Sequence, residues 1–234
     1  MKRNNRQLRK VMHEPIAPYM AHTYNTLIHL VQGIVFGALF YIISIQENVD
    51  ILFTLKVVDV LLLTCLIWHY YLVHDQYIAW RARIRDTVVP IALGLSQCML
   101  ILAIPKTIFI FSLWFISIPI VGFFAYFNPF TGYKDPDAIE LFREHFKDQD
   151  PEFAENLYSE LRSFDISAMI AMVIVAVLLG VITALNYYIQ ALSEEIKTYL
   201  FIIISGLIFM SLFKYDLKYK LNKSEKLKKY GYRW

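Results

Sequence analysis

Charge is scarce in this chain: Asp, Glu, Lys and Arg supply 18% of its 234 residues, against roughly 25% in soluble domains. With 57% of the residues hydrophobic, a water-soluble fold of this length would have too little polar surface to cover its apolar groups. Cysteine is rarer still. The two present, Cys65 and Cys98, both lie within apolar runs, which argues against a disulfide framework or a thiolate zinc site and leaves two small buried hydrophobes. There is no HExxH, no GxSxG, no glycine-rich phosphate loop and no paired-acid motif at an interface. The reading is therefore not an enzyme, with no catalytic residues, no cofactor and no metal.

What the chain has instead is long apolar runs. A hydrocarbon core about 30 Å thick needs roughly 20 helical residues, and six stretches fit: 24–45, 51–74, 87–104, 107–127, 166–192 and 198–213. The third and fourth are nearly continuous, 41 residues or about 60 Å of helix, and must fold back. Pro105-Lys106 is the expected turn, since proline lacks the amide a continuous helix needs and lysine prefers the interface. The first run lies too far from the start and is too long for a cleavable signal, so it reads as a retained span.

The basic residues give these spans a direction. Of 23 Lys and Arg, 20 fall before the first span, in the loop with Arg81, Arg83 and Arg85, in the loop 128–165, and after Phe213. All four segments lie on one side of a six-span layout, which the positive-inside rule makes cytoplasmic. The expected fold is an all-α integral membrane protein with six transmembrane helices and both termini in the cytoplasm, most simply in the plasma membrane. The expected divisions are a basic N-terminal segment 1–23, spans one to four in 24–127, a cytoplasmic hairpin 128–165, spans five and six in 166–213, and a basic tail 214–234.

The hairpin carries two Asp-Pro helix starts, Asp135-Pro136-Asp137 and Asp150-Pro151-Glu152, each an N-cap candidate followed by proline at the first helical position. Ile139, Phe142 and Phe146 recur at helical spacing on one arm, and Phe153, Leu157 and Leu161 on the other, with Phe164 beyond. These faces are expected to pack on each other, on the membrane surface, or on a cytoplasmic partner or second subunit. Glu144, His145, Asp148 and Asp150 match no EF-hand or zinc spacing and read as a solvated acidic turn. His69 and His74 are five residues apart and point different ways around a helix, so they read with Trp68, Tyr70 and Tyr71 as an interfacial belt, not a metal site. The basic tail is expected to attract anionic lipid; it has no fold to position nucleic acid.

Ionisable groups at membrane depth are costly and hence functional candidates. Lys56 and Asp59 lie three residues apart in the second span, where they are able to pair. Asn25, His29 and Gln32 lie along the first span, and Gln97 lies in the third; with Lys56 and Asp59 they are the candidate polar path. The bland alternative is that they hydrogen-bond helix to helix. Gly33 and Gly37, and Ala176, Gly180 and Ala184, form small-residue stripes expected to be packing seams, within the chain or between subunits. The functional expectation is a small, oligomeric multi-pass protein that forms or gates an ion or small-solute path. Its rival is a non-conducting anchor that docks a cytoplasmic partner through hairpin and tail.

Overall fold

The computed structural model describes residues 18–47, 49–74, 84–132, 134–147, 151–189 and 191–222. The first 17 residues, the loop containing Arg81 and Arg83, Asp148 and Asp150, and the tail beyond Asn222 lie outside the described residues, as do the expectations placed on them. Seven helices and no strand occur among those described: α1 Pro18–Ser44, α2 Ile51–His74, α3 Ile84–Leu102, α4 Ile108–Gly132, α5 Pro136–His145, α6 Pro151–Tyr188 and α7 Glu194–Asn222.

Five of them, α1, α2, α4, α6 and α7, are long and apolar enough to cross a membrane. The sixth expected span corresponds to α3, whose apolar part, Asp86–Leu102, is shorter. Their outward faces carry Leu30, Phe40 and Met210 at 62%, 69% and 68% exposure. Apolar surface of that extent is unfavourable in water and suits a lipid environment. The architecture is compatible with a multi-pass membrane protein.

Local chemistry sets the helix boundaries. The Asp50 carboxylate accepts from the Phe53 amide at 2.6 Å and starts α2. The chain reverses between α3 and α4 at 103–107, where the Ile104 and Lys106 amides make tight turn bonds to Ile101 and Ala103 carbonyls. Asp135 caps α5, its side chain accepting from the Asp137 amide, with Pro136 in the first helical turn. The second Asp-Pro start opens a single unbroken helix: α6 runs 38 residues, about 57 Å, from the hairpin through the apolar run.

The turn at 103–107 and the first turns of α2 and α7 gather at one end, where the Ile108 amide donates to Glu194 Oε2 across 3.4 Å. The α5–α6 hairpin marks the other. α4 and α6 pack along their lengths, α3 packs between α1 and α4, and α2 packs against α7. α1 and α3 approach closely because residue 94 is glycine: a Cβ there would run into the Val31 side chain. Gly33, Gly37 and Gly180, by contrast, have open space where a Cβ would stand, so they form no seam among the described residues. Ala176 is half-buried and Ala184 is exposed.

The hairpin closes on itself. Phe142, Phe146, Phe153, Leu157 and Leu161 are buried and Ile139 is half-buried. Phe146 meets Phe153 edge-on at 5.3 Å, and Phe142 meets Tyr158 at 5.4 Å. Of the three surfaces those residues were able to cover, they cover each other. The hairpin is tied to the bundle where Tyr126 of α4 packs on Phe164, Ala168 and Met169 of α6.

Candidate functional site

Between α1, α2, α3, α4, α6 and α7 lies a cavity open on one side. Its walls are mainly apolar, with Leu63, Ile67, Leu93, Val175 and Leu179 among them. Pro119 forms part of the α4 wall; it has no amide to donate back along the helix, which a spanning helix tolerates where neighbouring helices pack around the break. Polar groups are confined to one part of the lining. Asp86 in the first turn of α3, Asn128 near the end of α4, and Tyr24, Tyr70, Tyr71 and Tyr126 supply them.

These residues belong to the hairpin end of the helices. Asn128 donates to Asp86 Oδ1 at 2.8 Å, both side chains being buried. Tyr24 meets Tyr71 edge-on at 6.0 Å, and Tyr70 meets Tyr126 at 6.1 Å. The Tyr71 hydroxyl is buried without a hydrogen-bond partner among the described residues. A buried hydroxyl normally has one, so its position in a cavity wall marks a place for a missing partner.

Toward the short-loop end the cavity meets an aromatic layer. Phe115 lines the cavity and packs on Phe201 at 5.3 Å and Phe111 at 5.7 Å, and all three are fully buried. Two ionisable groups of α2 lie beside this layer, Lys56 at its short-loop edge and Asp59 level with Ser205, one turn nearer the hairpin end. Lys56 Nζ stands 5.4 Å from the centre of the Phe111 ring and donates to the carbonyls of Ile104 and Lys106 at 3.2 and 2.8 Å. It thereby fastens α2 to the turn between α3 and α4. Asp59 accepts from Ser205 of α7 at 2.8 Å. The two charged residues share a helix face, yet each bonds to a different neighbouring element.

The remaining path candidates separate into two groups. Gln32 donates to Gln97 Oε1 at 3.2 Å and Gln97 donates to Thr64 Oγ1 at 3.3 Å, joining α1, α3 and α2 in one buried chain. Asn25 is half-buried, and His29 is exposed beside Trp68, with ring centres 6.2 Å apart. His29 therefore lies on the outer surface, away from the buried glutamines.

Reading the sequence did not single out Asn128, Ser205, Thr64 or the phenylalanine layer. Serine, threonine and phenylalanine are common in spans, and only their partners distinguish them. Nor did it single out Asp165, which is 0% exposed in α6 with neither carboxylate oxygen partnered among the described residues. It looked like the last residue of a loop. The signal available was that position 165 continues the Leu157, Leu161, Phe164 face of an unbroken helix.

The class defined by these features is a chain helical throughout its described residues, with five helices long and apolar enough to cross a membrane and a cavity among them. Compared with known proteins, it matches no family model, no curated protein and no solved structure, so its particular role is read from this geometry.

Proposed function

We propose that the chain forms or gates a path for an ion or small solute across the bilayer, each subunit holding a half-path closed by the Phe111–Phe115–Phe201 layer. The observation that carries this reading is the order of elements along the bundle. A cavity at the hairpin end, an aromatic layer with Phe115 in its wall, and then Lys56 at the 103–107 turn follow one another, with Asp59 and Ser205 level with the layer. Rotation of one phenylalanine would open the cavity toward Lys56, and side-chain motion of this kind is a gate where walls are otherwise rigid.

The grouping of 20 of 23 basic residues on one side supports a cytoplasmic hairpin end and cytoplasmic termini in a plasma membrane. Self-association would use the outer face of α1, where Gly33 and Gly37 have room for a second helix. The anchor reading is weaker because the hairpin's apolar residues are buried within it, leaving a mainly charged exterior for docking.

The test is flux from proteoliposomes loaded with potassium chloride, glycerol and a pH dye. Phe115→Ala is expected to raise the leak of at least one of these at least tenfold over the unmodified chain. Rates equal to protein-free liposomes for all three, in a variant that remains monodisperse, would sink the gating reading.

A further inference from the structure

We infer that the cavity holds one hydrocarbon chain of a membrane lipid, its polar end level with Tyr70 and Tyr126 and its tail against Phe115. Three observations select this ligand. The first is the order of wall residues along the helices. Toward the hairpin end, the α2 lining passes from Leu63 and Ile67 to Tyr70 and Tyr71, and the α4 lining from Phe115 and Ile118 to Tyr126 and Asn128. The polar ends stand at one level, since the Tyr70 and Tyr126 rings meet edge-on at 6.1 Å. α3 runs the opposite way and repeats the order, with Leu93 deep and Asp86 at the hairpin end. A wall that turns from apolar to polar on three helices at once matches an amphipathic molecule lying parallel to them. Asp86 and Asn128 bond to each other, so the polar end of the ligand is not required to carry a particular charge.

The second observation is length. The α4 wall runs from Phe115 to Pro129, 14 positions apart or about 21 Å of helix. One leaflet of a bilayer roughly 40–45 Å thick, headgroups included, has about the same depth. A lipid whose tail reached Phe115 would therefore carry its polar end at the polar end of the wall. A small apolar solute would leave most of that length unfilled.

The third is how the deep part is closed and what is able to fill it. Phe115, packed on Phe201 at 5.3 Å and Phe111 at 5.7 Å, ends the cavity there. Left empty, Val175 and Leu179 would forfeit dispersion contacts on one side, and water does not settle where no polar group receives it. A hydrated inorganic ion would have to shed water without replacement ligands. Hydrocarbon fills such a volume at no cost in hydrogen bonds, and the apolar outer faces of the same helices suit a hydrocarbon surrounding.

This binding is read without transport, so a negative flux result for the gating reading leaves it standing. The full chain is reconstituted in phosphatidylcholine nanodiscs containing a trace of phosphatidylcholine with a photoactivatable diazirine, placed either at the tip of one acyl chain or beside its ester. Labelled residues are then mapped by peptide mass spectrometry. The tip probe is expected on Phe115 or Leu179, and the ester-side probe on Tyr70 or Tyr126. Val175→Trp fills the cavity and is expected to lower this inward labelling at least fivefold. Labelling of Ile174 and Val177, which face outward at 53% and 59% exposure, is expected to stay within twofold. Leu63→Trp fills the cavity from α2 and is read the same way should Val175→Trp fail to fold. Labelling confined to outward residues in the unmodified chain overturns the proposal, as does inward labelling that persists in a filled variant that remains monodisperse. So does an exchange of the two probes, with the tip beside Tyr70 and the ester beside Phe115.

Discussion

Toward the short-loop end, Lys56, Asp59 and Glu194 each direct polar atoms to another element, to carbonyls of the turn between α3 and α4, to Ser205 and to the Ile108 amide. At the hairpin end, Asp86, Asn128 and four tyrosines instead border an open volume. The contrast separates two uses of polarity in an apolar bundle. Asp86 and Asn128 also join α3 to α4, at 2.8 Å, so both ends are fastened. The difference is that Lys56, the most conspicuous residue in the sequence, is engaged at a closed end, whereas the bonded groups at the hairpin end stand in a cavity wall as well.

The sharpest way to break this contrast is to remove the layer between the two ends. Phe115→Ala is expected to destabilise the protein by about 3–5 kcal/mol, the usual range for emptying a buried phenylalanine site, read as a fall in thermal midpoint alongside the flux increase. An unchanged midpoint would mean that the layer is not packed as described. Lys56→Met tests the fastened end. Loss of its two carbonyl contacts is expected to cost about 1–2 kcal/mol, since interhelical hydrogen bonds in membranes are modest, read as a fall in thermal midpoint. A change in proteoliposome flux without that fall would show that Lys56 acts in the path and not in fastening the turn.

Asp165 is a third probe, because it is buried like a fastening residue but has no partner among the described ones. Asp165→Leu is expected to stabilise by about 1–3 kcal/mol by removing an unsatisfied buried group; a lower thermal midpoint would reveal a partner outside the described residues. Tyr71→Phe should change stability by less than about 0.5 kcal/mol, because the hydroxyl it removes has no partner among the described residues. The smallest effect is expected from Arg143→Ala. Its 2.6 Å bridge to Glu155 joins two side chains that are 56% and 55% exposed, and such pairs contribute roughly 0–1 kcal/mol. A loss above that range in a denaturation series would show that the bridge, not the aromatic packing, holds the hairpin closed.

Much of the helix layout was legible in the residues. Apolar run length marks a helix that must be buried in lipid or protein, Asp135-Pro136 announces a start, and Pro105 announces a reversal, all through local chemistry. The candidate site was legible only in part. Tyr70 and Tyr71 stood out by type, but they read as part of an interfacial belt, and Asn128 had no feature to separate it from its neighbours. The Gly33 and Gly37 stripe was visible while the glycine that lets two helices touch, Gly94, was not. Spacing along one helix shows which residues share a face and says nothing of what that face meets.

The sequence by itself determined an all-helical, lipid-suited chain with a helical hairpin, because hydrophobicity, run length and caps act on residues near one another in the chain. The tertiary structure alone decided that Lys56 and Asp59 part company, that His29 faces outward, and that four tyrosines and Asp86 surround one cavity. Those outcomes depend on how helices far apart in sequence are rotated against each other, and that rotation is set by packing among all of them at once.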